Sequence, residues 1–131
     1  MRPYARWLFG IAAVSNLTVA WALLFVSTAA TFIGLAPVKG SHAVLLNFAA
    51  SMIGLFGYGY LRIAMDPLRF RPLIHVSAIG KLLAVASAVG PWVDGEIPAR
   101  LPSILAPDVI FALLFFDYLR RSIQADAAAG Q

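Results

Sequence analysis

Four long apolar stretches run through the chain, separated by short segments that carry nearly all of its charge. They extend from about Trp7 to Phe32, Ala43 to Met65, Pro72 to Trp92 and Leu101 to Tyr118. A helix needs ~20 predominantly apolar residues to cross a bilayer, and each stretch reaches or approaches that length. Inside lipid a helix satisfies every backbone polar group within its own segment. The pattern therefore predicts an all-α chain, a bundle of four transmembrane helices, as one integral membrane domain over residues 1–131. The first stretch exceeds the spanning length and predicts a tilted helix. Its opening, MRPYARW, resembles the basic region of a signal peptide, and STAA resembles a cleavage site. The apolar run is too long for a signal core, so a retained helix is expected.

The connections sharpen these boundaries. GLAPVKGSHA carries Gly34, Pro37 and Gly40, with Ser41 placed to cap the second helix. LRIAMDPLRFRP holds Arg62 and Asp66 four residues apart on one helical face, and Pro67 forces Asp66 out of the helical region. Asp66 is expected to cap that turn, with Arg69 and Arg71 beside lipid headgroups. VGPWVDGEIPARLP contains Asp94, Glu96 and Arg100, two acids too sparse for a metal site. The tail SIQADAAAGQ is expected to fray.

Charge is distributed unevenly across these connections. Arg2, Arg6, Arg62, Arg69, Arg71, Arg120 and Arg121 fall on one side of the bundle, Lys39 and Arg100 on the other. Positive residues stay in the cytoplasm, so both termini are expected there.

The tenth basic residue, Lys81, lies near the middle of the third stretch. An ammonium at that depth requires a partner or a route to water. Lys81 is ten residues from Pro91, ~15 Å along a helix, and Asp108 is seven from Leu101, ~10 Å from the same side. The lysine stem covers much of the difference, so an intramembrane Lys81–Asp108 centre is expected. Ser77 and Lys81 share a face with Gly80 and Ala84 adjacent, and the Asp108 face continues to Phe111 and Phe115. Small residues on one helix and phenylalanines on the other border either a ligand pocket or a buried ion pair that holds two helices in register. Asn16 lies among Ala13 and Ala20, where a helix approaches closely, and Asn47 shares a stripe with Ser51 and Gly54. Both are candidates for interhelical hydrogen bonding or for ligand contact.

Composition removes most other chemistry. The chain is 61% hydrophobic and only 12% charged, too few charges to cover a soluble domain of this size. A net charge of +4 with basic residues at the ends of apolar runs reads as membrane orientation, so nucleic acid is not an expected partner. There is no cysteine, no phosphate-binding glycine loop and no convergent Ser-His-Asp set, the histidines being only His42 and His75. Neither a metal nor a cofactor is expected.

The run NFAASMIGLFGYGYLRIAMDPLRFRPLIHVSAIGKLLAV, followed by DVIFALLFFDYLRR, resembles small bacterial four-helix membrane proteins of the DoxX-like type. The resemblance covers roughly Gly34 to Arg121 and rests on Asn47, Asp66-Pro67, Gly80-Lys81, Asp108 and the Asp117–Leu119 segment. It implies a four-helix fold and residence in the bacterial inner membrane. Three functions fit the residues. One is a non-catalytic accessory or scaffold protein acting through oligomers or a partner membrane protein. Another is a lipid or quinone binder or enzyme using Lys81 and Asp108. The third is a small transporter, which the lack of an intramembrane glutamate disfavours. Membrane lipids are partners under all three.

Overall fold

The computed structural model describes residues 2–26, 28–35 and 39–130. It consists of α1 (Arg2–Phe25), a single-turn α2 (Ala29–Phe32), α3 (Ser41–Met65), α4 (Arg71–Val93) and α5 (Arg100–Ala129), with no strand among the described residues. All but α2 are long and apolar enough to cross a membrane, so the chain is multi-pass by length and composition. α1 packs along α3 and α4 along α5, and the two pairs meet through lighter α3–α4 and α1–α5 contact.

The first helix is shorter than the hydrophobic run predicts. α1 ends at Phe25 after 24 residues, a rise of ~36 Å that already exceeds a hydrocarbon core. Beyond it the threonines turn the chain locally, with Thr31 Oγ1 donating to the Thr28 carbonyl at 2.9 Å. Ser27 of the cleavage-like STAA and Pro37 of the connection lie outside the described residues.

Helix α3 starts after Gly40, whose φ of 61° lies in the left-handed region that glycine tolerates. Gly40, and not Ser41, occupies the cap position, and no side chain caps this end. At its other end α3 stops at Asp66, with φ −144° and ψ 82°, as the following Pro67 requires. The Asp66 carboxylate accepts the Arg69 backbone N–H at 3.3 Å and closes the turn into α4. Pro72 in the first turn of α4 forfeits no intrahelical bond.

The segment expected to fray is helical. α5 continues to Ala129 because Ser122–Ala129 contains neither glycine nor proline and is rich in alanine. Ser122 is buried, and Arg71 Nη2 donates to its carbonyl at 3.3 Å while Nη1 pairs with Asp126. This docks the last turns of α5 on the start of α4. Arg6 meanwhile shares a cleft with Met65, Asp66 and Pro67. The start of α1, the α3–α4 turn and the end of α5 therefore lie at one end of the bundle. At the other end, Gly34 abuts Pro98 and the Arg100 guanidinium lies 5.7 Å from the Phe32 ring centroid.

The core is concentrated toward the arginine-rich end. Phe9, Tyr60, Phe115 and Tyr118 form an aromatic cluster, with ring centroids 4.6 Å apart for Phe9–Phe115 and 5.4 Å for Tyr60–Phe115. Ile63, Ile74 and Ala78 complete it, so all four long helices contribute. The inward face of α1, running through Ala5, Leu8, Phe9, Ala12 and Ala13, has helical spacing. Its alanines admit α3 closely. At Gly57 a Cβ would fall 2.9 Å from Leu17 and 3.2 Å from Asn16, so the crossing leaves no room for a side chain there.

Candidate functional site: a buried ion pair beside a cavity

In α4, residues Ile74, Ser77, Ala78, Lys81 and Ala88 are buried, one stripe of a 3.6-residue repeat. Lys81 is carried on that stripe into the bundle, where its side chain is only 5% exposed. Its Nζ donates to Asp108 Oδ1 at 2.5 Å and to Asn16 Oδ1 at 3.3 Å. Asn16 also donates through Nδ2 to the Ile53 carbonyl at 3.2 Å, so its amide is oriented from both ends. The centroids of the Tyr60 and Phe111 rings lie 5.3 and 5.2 Å from Nζ, within range for cation–π attraction. α1, α3, α4 and α5 thus converge on one ammonium.

Charge compensation here is unequal in depth. Asp108 keeps about a quarter of its side-chain surface exposed (26%), against 5% for Lys81. The lysine is the desolvated partner, and the carboxylate with the Asn16 carbonyl oxygen replaces its lost water. An ammonium has three donors. Two are accounted for by Asp108 and Asn16, which leaves one for a further acceptor.

Beside the pair lies a cavity of about 170 Å³. Asn16 borders it from α1, Met52, Ile53, Phe56 and Tyr60 from α3, Ser77, Gly80, Lys81 and Ala84 from α4, and Asp108 from α5. Ser77 is 1% exposed, and the Tyr60 hydroxyl is the neighbour in reach of its Oγ, although no bond within 3.5 Å forms among the described residues. Ala84 is both a wall of the cavity and exposed on the bundle surface.

The structure gathers Lys81, Asp108, Asn16, Ser77, Gly80 and Ala84 around this space, with Phe111 against the ammonium. It separates two other candidates from it. Asn47 is exposed near the start of α3, where its carbonyl accepts the Ser51 hydroxyl at 2.8 Å. Phe115 is fully buried one turn beyond Phe111, packed against Phe9 and edge-on to Tyr60 in the core. Helical periodicity puts Phe115 on the Asp108 face, but it belongs to the aromatic cluster, of which only Tyr60 reaches the cavity among the described residues.

Three lining residues, Met52, Ile53 and Phe56, carry no signal in the sequence, and Tyr60 joins them. The tyrosine signal was present in the Gly-Tyr-Gly-Tyr run, where Tyr60 is buried and Tyr58 is half exposed. Only the rotation of α3 distinguishes them. The arginine-rich turn is spatially separate: Arg62 Nη1 donates to the Tyr58 hydroxyl at 3.1 Å, and Arg71 pairs with Asp126. Compared with protein-family models, with curated proteins and with solved structures, the chain finds no match.

Proposed function

We propose that this protein binds a small lipid-soluble molecule within the membrane, through an acceptor oxygen held by Lys81 and Ser77. The observation that carries this reading is the 170 Å³ space beside the ammonium, which the buried Ser77 hydroxyl also borders. A pair serving only to lock helices needs no space beside it, and close packing would fill it. The volume is below that of typical ligand pockets but matches cavities that admit a single ring. It suits the polar head of a quinone or fatty molecule whose remaining apolar part stays in the bilayer. Lys81 supplies the spare N–H and Ser77 a second donor, with the Asp108 carboxylate compensating the ammonium.

The distribution of arginines supports a location in a bacterial inner membrane with both termini in the cytoplasm. The resemblance to DoxX-like proteins is in keeping with that reading. An accessory role through partner helices is favoured by a different feature, a groove of about 570 Å³ along Leu17, Ala20, Trp21, Leu24 and Gly54. Its small residues allow another helix to approach.

Ala84→Leu distinguishes the two readings, because the added volume enters the cavity from a surface position and spares the buried core. Wild-type protein purified in mild detergent is expected to release a lipid or quinone on organic extraction, and the Ala84→Leu protein to release at most a tenth as much. Equal recovery from both proteins would remove the support for a binding cavity and leave the accessory reading.

A further inference from the structure

We propose a second, independent site: a groove between α3 and α4 that holds an anionic phospholipid, with its phosphate on Arg62 and Arg69. The groove has a volume of about 480 Å³, and apolar atoms supply nearly all of its surface. Leu55, Phe56 and Gly59 form its α3 side, and Leu73 and Val76 its α4 side. Gly59 lets Leu73 approach α3 here, and a Cβ would come within 3.3 Å of it. Only Phe56 also borders the Lys81 cavity.

Its polarity is one-ended. At the α3–α4 turn the groove finishes at Arg62 and Phe70. The guanidiniums of Arg62 and Arg69 lie 5.4 and 5.8 Å from the Phe70 ring centroid, so one aromatic ring positions two positive charges. Two of the nearby acids pair with other arginines, and the third caps the turn. Asp66 accepts the Arg69 backbone N–H, Asp117 pairs with Arg121 at 2.8 Å, and Asp126 pairs with Arg71. Among the described residues neither Arg62 nor Arg69 has a carboxylate partner, and both are exposed.

From Arg62 to Leu55 the groove follows the helix for seven residues, ~10 Å toward the bilayer centre. That direction matches a lipid whose headgroup is at the interface and whose acyl chain points inward. A zwitterionic lipid fills the same apolar groove but brings its own cation to the arginines. An anionic lipid leaves its phosphate free for them.

The test is native mass spectrometry on the delipidated full-length protein, titrated in one detergent with phosphatidylglycerol or phosphatidylcholine of identical chains. Phosphatidylglycerol is expected to bind about fivefold more tightly for each arginine engaged, on the order of twentyfold in all. Arg62→Gln combined with Arg69→Gln should bring that ratio near one while leaving phosphatidylcholine binding unchanged. Gly59→Leu should weaken both lipids by filling the groove. Arg120→Gln, which removes a charge from the same end but not from the groove, should retain the preference. Soluble glycerol phosphate should not displace bound lipid. Equal binding of the two lipids by wild type would overturn the proposal, as would equal loss of preference in Arg120→Gln and the double variant. Full displacement by glycerol phosphate would make the site one for free anions and likewise overturn it. If the double variant does not fold, the wild-type ratio and Gly59→Leu still decide.

Discussion

Lys81 illustrates how a single charge organises its surroundings. Its ammonium draws a carboxylate from α5, an amide from α1 and two aromatic rings into one shell. Removing either member of the pair leaves an uncompensated charge, whereas removing both leaves none. Lys81→Met and Asp108→Asn are each expected to cost roughly 2–4 kcal/mol, below the full penalty for a wholly buried pair because Asp108 remains partly exposed. The double variant should cost less than the sum by about 1–3 kcal/mol. Reversible unfolding in mixed micelles measures this cycle, and additive losses would show that the two groups do not act together. Ser77 lies one turn from Lys81 on the same stripe, and the cavity that both border distinguishes this centre from a fully packed structural ion pair.

At the scale of helices, close approach is confined to particular glycines. Gly57 sits where α1 crosses α3 and a Cβ would meet Leu17 at 2.9 Å, whereas a Cβ on Gly10 would meet nothing within 4 Å among the described residues. The two should respond oppositely to the same substitution. Gly57→Ala is expected to destabilise the bundle by about 1–3 kcal/mol through overpacking. Gly10→Ala should stabilise it by up to about 1 kcal/mol through helix propensity. Midpoints of thermal unfolding in detergent, compared with wild type, check both signs; a stabilising Gly57→Ala would mean that α1 and α3 do not cross at this point. The length of α5 has a related origin. Its last turns pass the hydrophobic stretch and persist because alanine favours helix and Arg71 clasps Asp126 and the Ser122 carbonyl.

For the whole molecule, both chain ends and the α3–α4 turn share one end of the bundle, the end that holds seven of the ten basic residues. In the proposed topology this bias puts that end inside the cell. Gln124→Cys and Glu96→Cys, both at exposed positions at opposite ends, report the outcome in intact cells. A membrane-impermeant thiol reagent added outside is expected to label Glu96→Cys and to leave Gln124→Cys unmodified until the cells are permeabilised. Labelling of Gln124→Cys from outside would reverse the proposed orientation.

The helical class, the number of spans and the depth match between Lys81 and Asp108 were legible in the sequence. They depend on local quantities: run length, rise per residue and the cost of a charge in hydrocarbon. Helix ends were less legible, because hydropathy neither registers the turn after Phe25 nor sees a clasp between Arg71 and Asp126, 55 residues apart. The small residues of α1 and α3 announced close packing but not their partner. Gly54 and Gly57 face α1, while Gly59 faces Leu73 of α4. Which helices are neighbours, and how each is rotated, is a property of side-chain interdigitation over the whole bundle. That rotation buried Tyr60 and left Tyr58 half exposed, sent Phe115 to the core and left Asn47 on the surface. It also brought Asn16, 65 residues away in the chain, to the ammonium. The sequence by itself determined that a charge lies within the membrane and must be compensated. Only the tertiary structure decided which groups compensate it and left a cavity beside them, because packing alone fixes which faces of the four helices meet.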